Sequence, residues 1–469
     1  MIRTGRGFAK RWARMADSDQ CSLSHGSRVA VVGGGPAGSM FSYFLLNFAE
    51  IANLDLQVDI YEPRYFTHCG PAGCNHCGGI VSESLLQRLA TEGIELPSHV
   101  VQRGMDSYTL HMDVGTVRLN APGLEKRIAA VYRGNGPRES EPLHQVSFDG
   151  YLNELAIGKG ARMVRRMVTG MDRTGDSIGV TCADGHNRNY DLAVVATGIN
   201  SHFVESVCER VAPIRQPKKT STFICEFQLG RSMIEETLGN SMHVFLLDIP
   251  RLEFAALIPK DDYATLCMLG DEIDEELIRA FFQSAEFRHC FPDAIVPPHA
   301  CHCLPRINVS TARYPFDDRI VLIGDSGTTR LFKDGLGAAY RTSKAAARTA
   351  VFHGVSARDF EQNFWPLCRT IDADNRIGKF VFSVSGLIQK ARFSRRAVLR
   401  MTALEQAGDS DRKRMSEILW DIFSGSAPYR EILGRAFHPA YVGGLIWNLA
   451  ASNWPPVQRR DAETAGQGV

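Results

Sequence analysis

The sequence predicts an α/β fold in which a parallel sheet is interleaved with an antiparallel sheet and followed by a helical region. Three observations predict it. Short β-branched runs, the first at 28–32, are followed by glycines and apolar helical stretches, a pattern typical of buried parallel strands. Alternating strand-like segments between about 220 and 270 indicate an antiparallel sheet. From residue 359 onward the pattern is mostly helical.

Length and composition set the scale of the fold and exclude several classes of protein. The 469 residues allow about three domain-sized units, and 44% hydrophobic with 22% charged residues exclude a disordered or fibrous chain. The formal charge of +1 leaves no global basic field, so we expect no nucleic-acid partner. We predict a basic N-terminal extension at 1–27, a discontinuous α/β domain at 28–353 with a sheet inserted at about 215–310, and a helical region at 354–469.

The first strand, at 28–32, leads into a glycine-rich turn and a helix predicted at 39–49. In such a turn the first glycine permits the tight bend, the second lets the backbone approach a pyrophosphate, and the third lets helix and strand pack closely. The turn has the pattern GxGxxG and contains Gly33, Gly35, Pro36, Ala37 and Gly38.

The second predicted strand, at 56–61, ends in an acid. Glu62 follows Gly38 by 24 residues, a place where a carboxylate can accept both hydroxyls of an adenosine ribose. Strand, turn, helix and acid together predict a dinucleotide site, against the alternative of a glycine turn without a ligand. We assign Glu62 and its neighbour Arg64 to this site.

The far end of the α/β pattern favours FAD over NAD as the dinucleotide. Asp325 lies at the tip of a strand predicted at 319–323, where an acid can bind a ribityl hydroxyl. Gly335, Leu336 and Gly337 precede a helix predicted at 338–352, and a glycine turn opening a helix can place N–H groups against a flavin. The alternative is a strand-to-helix turn with a structural role.

These motifs resemble those of the two-domain flavoproteins that include p-hydroxybenzoate hydroxylase-type monooxygenases, geranylgeranyl reductases and electron-transfer flavoprotein:quinone oxidoreductase. The turn at 33–38 with Glu62, the strand end at 196–198 and the segments around Asp325 and 334–337 carry the resemblance. It implies a Rossmann-type FAD-binding domain interleaved with a substrate-binding sheet. It also implies that Gly198 and Gln145 contact the cofactor.

Within these flavoproteins the sequence is most similar to the geranylgeranyl reductase group. The match rests on the Cys-Gly-Gly segment that begins at Cys77 and on residues 415–439. It implies that Cys77 lies beside the isoalloxazine and takes part in acid–base or redox chemistry. At 254–259 the group carries an aromatic-rich motif, whereas Ala256 and Ile258 here predict an aliphatic wall.

The cysteines are unevenly placed. Cys69, Cys74 and Cys77 could present three thiolates to a metal or an iron–sulfur cluster, and Cys301-His302-Cys303 could supply a fourth ligand. A thiol or disulfide redox role and inert buried cysteines are the alternatives. Twelve cysteines are too sparse for a secreted disulfide scaffold, so we expect a reducing, cytoplasmic location.

Histidines form no motif. His111, His243 and His289 show no HxxxH or HExxH spacing, and we interpret them as structural.

The motifs, together with the resemblance to the geranylgeranyl reductase group, imply an FAD-dependent oxidoreductase that reduces carbon–carbon double bonds of an isoprenoid or other apolar substrate. NAD(P)H or ferredoxin is the expected electron donor. The alternatives are a flavin-dependent monooxygenase and an electron-transfer flavoprotein with a cysteine-bound metal or iron–sulfur centre.

Two basic stretches bear on membranes. Residues 1–16 and 375–404 contain several lysines and arginines and no acidic residue. In the second stretch apolar residues are interleaved with the cations, a pattern typical of a helix lying on an anionic bilayer. The alternative is a solvated helix face. No apolar run reaches the length of about 18 residues that a spanning helix needs, so we expect at most peripheral contact with the inner membrane face.

Overall fold

A computed structural model describes residues 21–123, 126–138, 140, 147–211, 214–291, 299–408 and 413–451. Most of the predicted N-terminal extension and Gln145 lie outside the described residues.

The strands of the described residues all lie before residue 323. In chain order they are β1 (Arg28–Val32), β2 (Gln57–Tyr61), β3 (Ile80–Val81), β4 (Val101–Met105), β5 (Ser107–Met112), β6 (Gly115–Asn120), β7 (Ile128–Val131), β8 (Arg162–Val164), β9 (Val168–Thr174), β10 (Ser177–Cys182), β11 (Asn187–Tyr190), β12 (Leu192–Val195), β13 (Lys219–Ser221), β14 (Phe223–Gln228), β15 (Ser241–Phe245), β16 (Leu252–Pro259), β17 (Tyr263–Gly270), β18 (His299–Cys303), β19 (Arg306–Asn308), β20 (Phe316–Asp317) and β21 (Ile320–Leu322).

The α-helices become continuous after residue 335. In chain order they are α1 (Pro36–Ile51), α2 (Glu83–Thr91), α3 (Phe148–Gly158), α4 (Phe203–Arg210), α5 (Arg231–Thr237), α6 (Glu275–Gln283), α7 (Ala285–Arg288), α8 (Gly335–Phe352), α9 (Ala357–Asn363), α10 (Trp365–Lys390), α11 (Arg392–Ala407), α12 (Arg414–Ser424), α13 (Tyr429–Ala436) and α14 (Pro439–Ala451).

The first sheet has six strands in the order β20-β21-β12-β1-β2-β8, and β21, β12, β1, β2 and β8 are parallel. Four of the five residues of β1 and all four of β12 are buried, which explains why they are apolar or small. Helices α1 and α8 pack against one another on this sheet, and Ser343 Oγ on α8 donates to the carbonyl of Ala37 on α1 at 2.7 Å. The predicted strands and helices of this unit are confirmed to within a few residues.

The second sheet has seven strands in the order β18-β14-β17-β16-β15-β5-β6. Its pairs are antiparallel except β15 with β5, which is parallel. Five strands come from 241–303 and 223–228, and β5 and β6 come from 107–120, outside the range of about 215–310 predicted for the sheet.

The two faces of this sheet pack against different layers. On β16, Phe254, Ala256 and Ile258 face the C-terminal helices, whereas Ala255 and Leu257 face the layer that contains α6 and α7. The predicted aliphatic wall at Ala256 and Ile258 is therefore part of a filled core, in which Phe254 lies against Phe382 and Phe423.

Helices α10 and α11 carry the second basic stretch. Within it Arg395 is buried and pairs with Asp113 at 2.5 Å, so the run of cations is not wholly solvated. No helix among the described residues has the length and apolar character needed to cross a membrane.

Candidate functional site

The carboxyl ends of four parallel strands meet at one edge of the first sheet. β1 leads into Gly33, β2 into Glu62, β12 into the segment that ends at Gly198, and β21 into the segment that contains Asp325. In open α/β sheets, ligands bind in the crevice at this edge, where connections leave a central strand in opposite directions. We call this set, together with the turn at 33–38 and the start of α8, the nucleotide edge.

Two glycines of the turn are required by the protein itself. Gly33 has φ of +108°, and a Cβ there would lie 2.5 Å from the carbonyl oxygen of Ala196. A Cβ on Gly38 would lie 1.9 Å from the carbonyl oxygen of Gly33. Any side chain at either position would therefore displace backbone.

The middle glycine is different, because the space beside it is open. A Cβ on Gly35 would meet only the Nδ2 atom of Asn75, at 3.5 Å, and φ of Gly35 is −68°. Pro36 follows as the first residue of α1, which suits a position that needs no N–H donor. The protein gives no steric reason for a glycine at 35, whereas a pyrophosphate approaching the backbone would.

Glu62 is buried at the tip of β2 and is held by its neighbours. It accepts hydrogen bonds from the Gly34 N–H at 3.1 Å and from Arg64 through the backbone N–H at 3.1 Å, Nε at 3.0 Å and Nη2 at 3.2 Å. Arg64 also donates to the carbonyl of Cys74 at 3.2 Å. These bonds fill the acceptor positions of the carboxylate, so a ribose hydroxyl at Glu62 would displace the Arg64 side chain.

Asp325 lies at the tip of β21, in a short 3₁₀ turn. Its side chain is accessible to solvent, yet the surrounding protein desolvates the carboxylate and raises its pKa, an effect that Thr329 and Arg133 partly offset. The side chain of Ser326 links this turn to the end of β12, since its Oγ accepts from the N–H of Gly198 at 3.0 Å. Asp325 therefore presents an accessible carboxyl group within the nucleotide edge.

The start of α8 completes the nucleotide edge. A Cβ on Gly335 would lie 3.9 Å from Oδ1 of Asp325, so the two predicted flavin-binding segments are adjacent. A Cβ on Gly337 would overlap the carboxylate of Asp334, which precedes the helix in a left-handed conformation with φ of +55°. Leu336 between them is buried in the core of the first sheet.

The C-terminal helices hold the segment that leads into α8. Arg330 donates to the carbonyls of Gly425 at 2.6 Å and Ala427 at 2.7 Å. The Asn375 side chain accepts from the N–H of Leu331 at 2.9 Å. Sequence patterns did not indicate that the helical region positions the predicted flavin loop, because these contacts join residues 44 or more positions apart.

A cavity of about 50 Å³ lies between the loop at 70–77, the segment at 132–137 and the seven-stranded sheet. Residues of both predicted cysteine segments line it, together with a lysine and a tyrosine: Cys74, Cys77, Cys301, Cys303, Tyr132 and Lys260. We call it the cysteine cavity. Cys69 is not among its lining residues, and its Sγ donates to the carbonyl of Asn135 at 3.0 Å.

The cysteine cavity contains a buried charge pair. Lys260 Nζ lies 3.7 Å from Oε1 of Glu226 and 4.7 Å from the ring centre of Tyr132. The other carboxylate oxygen of Glu226 accepts from Thr265 Oγ1 at 2.7 Å. Lys260 is 1% exposed, so these protein partners take the place of water around its amino group.

Tyr132 contributes a proton donor to the same cavity. Its hydroxyl is buried and has no hydrogen-bond partner among the described residues. Burial, followed by the charge of Glu226, raises the pKa of Tyr132 well above the ordinary value. The phenol therefore keeps its proton near neutral pH and can donate a hydrogen bond to a group that enters the cavity.

Burial favours the protonated form of two thiols at the cavity. Burial raises the pKa of Cys74, and it raises the pKa of Cys303 to about 12. Within the described residues, the one group of three side chains whose candidate ligand atoms lie within 4.8 Å of one another is elsewhere, at His111, His243 and Cys290. Nothing in the sulfur positions favours the predicted metal or cluster at Cys69, Cys74 and Cys77, which stays a prediction.

Arg133 lines the cavity, and its charge also acts on Asp325 of the nucleotide edge, whose pKa it lowers. It donates to Asp149 through Nε at 2.6 Å, and Asp149 is fully buried at the start of α3. Asn75 also donates to Asp149. Burial opposes the charged form of Arg133, but Asp149 and then Cys77 outweigh it and raise its pKa. Arg133 belongs to no motif, so its position could be found only from the fold.

The fold is shared with solved flavoproteins. No protein-family model matches the chain, and no curated protein matches it. A flavoprotein/dehydrogenase from Cytophaga hutchinsonii is 15% identical over 86% of this chain and 93% of its own, with a TM-score of 0.57. The halogenase PltM, solved with phloroglucinol and FAD, is 12% identical over 91% of each chain, with a TM-score of 0.58.

A third structure is pqsL, a probable FAD-dependent monooxygenase from Pseudomonas aeruginosa, which is 14% identical over 79% of this chain and 98% of its own, with a TM-score of 0.54. At these identities the likeness establishes the fold. The predicted fold class, a Rossmann-type α/β unit interleaved with an antiparallel sheet and followed by helices, is confirmed.

Proposed function

We propose that this protein is an FAD-dependent oxidoreductase that reduces a carbon–carbon double bond of an isoprenoid or other apolar substrate. The residues of the nucleotide edge fit FAD. The backbone beside Gly35 is open to a pyrophosphate, and Asp325 offers an accessible carboxyl group next to the N-terminus of α8. Bound FAD would supply the hydride once it is reduced by NAD(P)H or ferredoxin.

The observation that carries the reductase assignment is the free phenol in the cysteine cavity. Adding hydrogen across a double bond requires a proton as well as a hydride, and Tyr132 holds a proton that no described residue binds. Lys260 Nζ, 4.7 Å from the Tyr132 ring centre, would offset part of the cost that burial and Glu226 impose on the phenolate left after proton transfer. Cys77 lines the same cavity and remains the candidate catalytic thiol.

An exposed face of α10 and α11 supports binding to a lipid surface. Phe380, Val384 and Leu387 recur on one side of α10, and all three are exposed. Exposed cations surround them: Arg376, Lys379, Lys390, Arg392 and Arg396. Exposed apolar residues flanked by cations are typical of helices that lie on anionic bilayers, which would place the enzyme where an isoprenoid substrate is found.

The assignment is tested by single turnover without oxygen. Protein reconstituted with FAD and photoreduced is mixed with geranylgeranyl lipids, and both flavin oxidation and the mass of the lipid are followed. We expect oxidation of the flavin together with a gain of two hydrogens in the lipid. Failure of every prenyl lipid to oxidise the reduced flavin would overturn the assignment.

A second candidate is a flavin-dependent monooxygenase or halogenase. It is favoured by the fold shared with PltM and with pqsL, which are a halogenase and a probable monooxygenase. NAD(P)H-driven oxygen consumption with incorporation of oxygen or halide into a substrate would establish it in place of the reductase. No position of the described cysteine sulfurs favours the electron-transfer alternative.

A further inference from the structure

Two histidines and a cysteine meet on the face of the seven-stranded sheet that is opposite the cysteine cavity. Nε2 of His111 lies 2.9 Å from Nδ1 of His243, and Sγ of Cys290 lies 3.7 Å and 3.6 Å from these two atoms. The three side chains are 7%, 7% and 5% exposed. The sequence did not indicate that these residues meet, because His111 and His243 are 132 positions apart and His243 and Cys290 are 47 positions apart.

The sheet brings the histidines together by register. β5 and β15 are parallel neighbours, and His243 pairs with Thr109, two residues before His111. Because alternate residues of a strand share a face, both imidazoles lie on the same side. Phe245 pairs with His111 and stacks on it with ring centres 4.7 Å apart. Cys290 reaches this face from the turn after α7.

The geometry points to a metal site: we propose that His111, His243 and Cys290 bind a zinc-like divalent cation, with the fourth position left to water. A tetrahedral zinc with bonds of about 2.0–2.1 Å to nitrogen and about 2.3 Å to sulfur requires N···S distances near 3.6 Å and an N···N distance near 3.3 Å. Both N···S distances already fit, and the imidazoles must separate by about 0.4 Å.

The remaining ring atoms are held as they are in known metal sites. Nδ1 of His111 lies 3.3 Å from Thr116 Oγ1, and the His243 ring interacts with the backbone of Leu238. Ligating imidazoles are commonly oriented in this way by a hydrogen bond at the second nitrogen.

Protonation of the three groups is compatible with binding near neutral pH. Burial lowers the pKa of His111 to about 3 and of His243 to about 4, so both imidazoles are neutral. Burial raises the pKa of Cys290 to about 12, and its Sγ lies 3.6 Å from the carbonyl of Glu286. Binding therefore breaks this contact and the contact between the imidazoles, and it releases the thiol proton to solvent.

A cation at this site would cross-link the helical layer of α6 and α7 to the seven-stranded sheet. His111 and His243 belong to the sheet, whereas Cys290 belongs to the chain that follows α7. A cation bound to all three stabilises the folded protein, because the unfolded chain holds these ligands far apart. This role is independent of the flavin and of the reaction at the cysteine cavity.

The test uses the full-length flavoprotein after treatment with a chelator, with Co²⁺ as a spectroscopic probe and Zn²⁺ as a competitor. We expect one Co²⁺ per chain, with the visible bands of tetrahedral cobalt and thiolate charge transfer in the difference spectrum, both removed by Zn²⁺. Cys290→Ser should lose the charge-transfer band and reduce affinity at least tenfold. Zn²⁺ should raise the melting temperature of the wild type and not that of Cys290→Ser.

Cys303→Ser is the matched control, because Cys303 lies in the cysteine cavity. It should bind Co²⁺ as the wild type does. His111→Gln provides a second test that retains the thiol, and it should also bind at least tenfold more weakly. Absence of a cobalt–thiolate band in the wild type, its persistence in Cys290→Ser, or its loss only in Cys303→Ser would overturn the proposal.

Discussion

The nucleotide edge and the seven-stranded sheet carry chemistry in different ways. At the nucleotide edge, backbone conformation determines the site. Glycine is required at positions 33 and 38 because a Cβ there would clash with a backbone carbonyl oxygen. On the sheet, side chains from distant segments determine it, as with Lys260 and Tyr132 in the cysteine cavity. A backbone site is encoded within a few consecutive residues, whereas a side-chain site depends on the register of strands that are far apart in sequence.

The largest expected effect tests the backbone site. Gly38→Ala places a Cβ 1.9 Å from the carbonyl oxygen of Gly33, so the turn must open, at a cost of about 3 kcal/mol or more. We expect no stoichiometric FAD, measured by flavin absorbance per chain, and a lower melting temperature. Gly158→Ala is the control, since a Cβ there meets nothing within 4 Å, and it should retain FAD. A Gly38→Ala protein that contains one FAD per chain would show that the conformation of the turn does not determine FAD binding.

The next largest effect tests the side-chain site. Tyr132→Phe removes a hydroxyl that has no partner among the described residues, so stability should change by no more than about 0.5 kcal/mol. Loss of the proton donor should slow substrate reduction by about 10²- to 10⁴-fold, with flavin content and flavin reduction unchanged. Stopped-flow measurement of the two half-reactions separates these steps.

Tyr108→Phe is the matched control for this substitution. Tyr108 is buried against Trp420, with ring centres 4.5 Å apart, in the core beneath the C-terminal helices. It should leave both half-reactions at wild-type rates. Equal rates for wild type and Tyr132→Phe would remove the phenol from the mechanism.

A smaller effect concerns the two histidines on the other face of the sheet. Burial lowers the folded-state pKa of His111 to about 3, below the value of 6.5 in the unfolded chain. Between these values the unfolded state binds more protons, so stability is present above pH 6.5 and is lost as the pH falls. For metal-free protein, lowering the pH from about 7 to about 5 should cost about 2 kcal/mol for this histidine.

Urea unfolding at the two pH values measures this cost. His111→Gln should show a pH dependence that is smaller by that amount, because the substituted residue does not titrate. If the free energy of unfolding fell by the same amount between the two pH values in both proteins, His111 would not be held neutral by burial.

The sequence predicted which strand ends form the nucleotide edge because these strands and turns are determined locally. The turn at 33–38, Glu62 and Asp325 lie at strand ends, and strand ends follow from short apolar runs and glycines. It did not predict that the Arg64 side chain donates hydrogen bonds to the Glu62 carboxylate. The conformation of this long side chain depends on the loop whose Cys74 carbonyl it also contacts.

The sheet was predicted only in part. Its central strands follow from alternation, but β5 and β6 come from residues 107–120, and only the folded topology places them beside β15. The approach of His111 to His243 depends on that pairing. Arg133 and Tyr132 could not be found for the same reason, since no local pattern marks a residue whose partners lie on other strands.

FAD affinity of Gly35→Ala tests the central claim most directly. The substitution adds a Cβ that meets only Asn75 Nδ2, at 3.5 Å, in a conformation that alanine adopts readily. We predict that the flavin-free variant melts at the wild-type temperature, while its dissociation constant for FAD, measured by titration, rises at least tenfold. An unchanged dissociation constant would contradict the placement of FAD at the nucleotide edge.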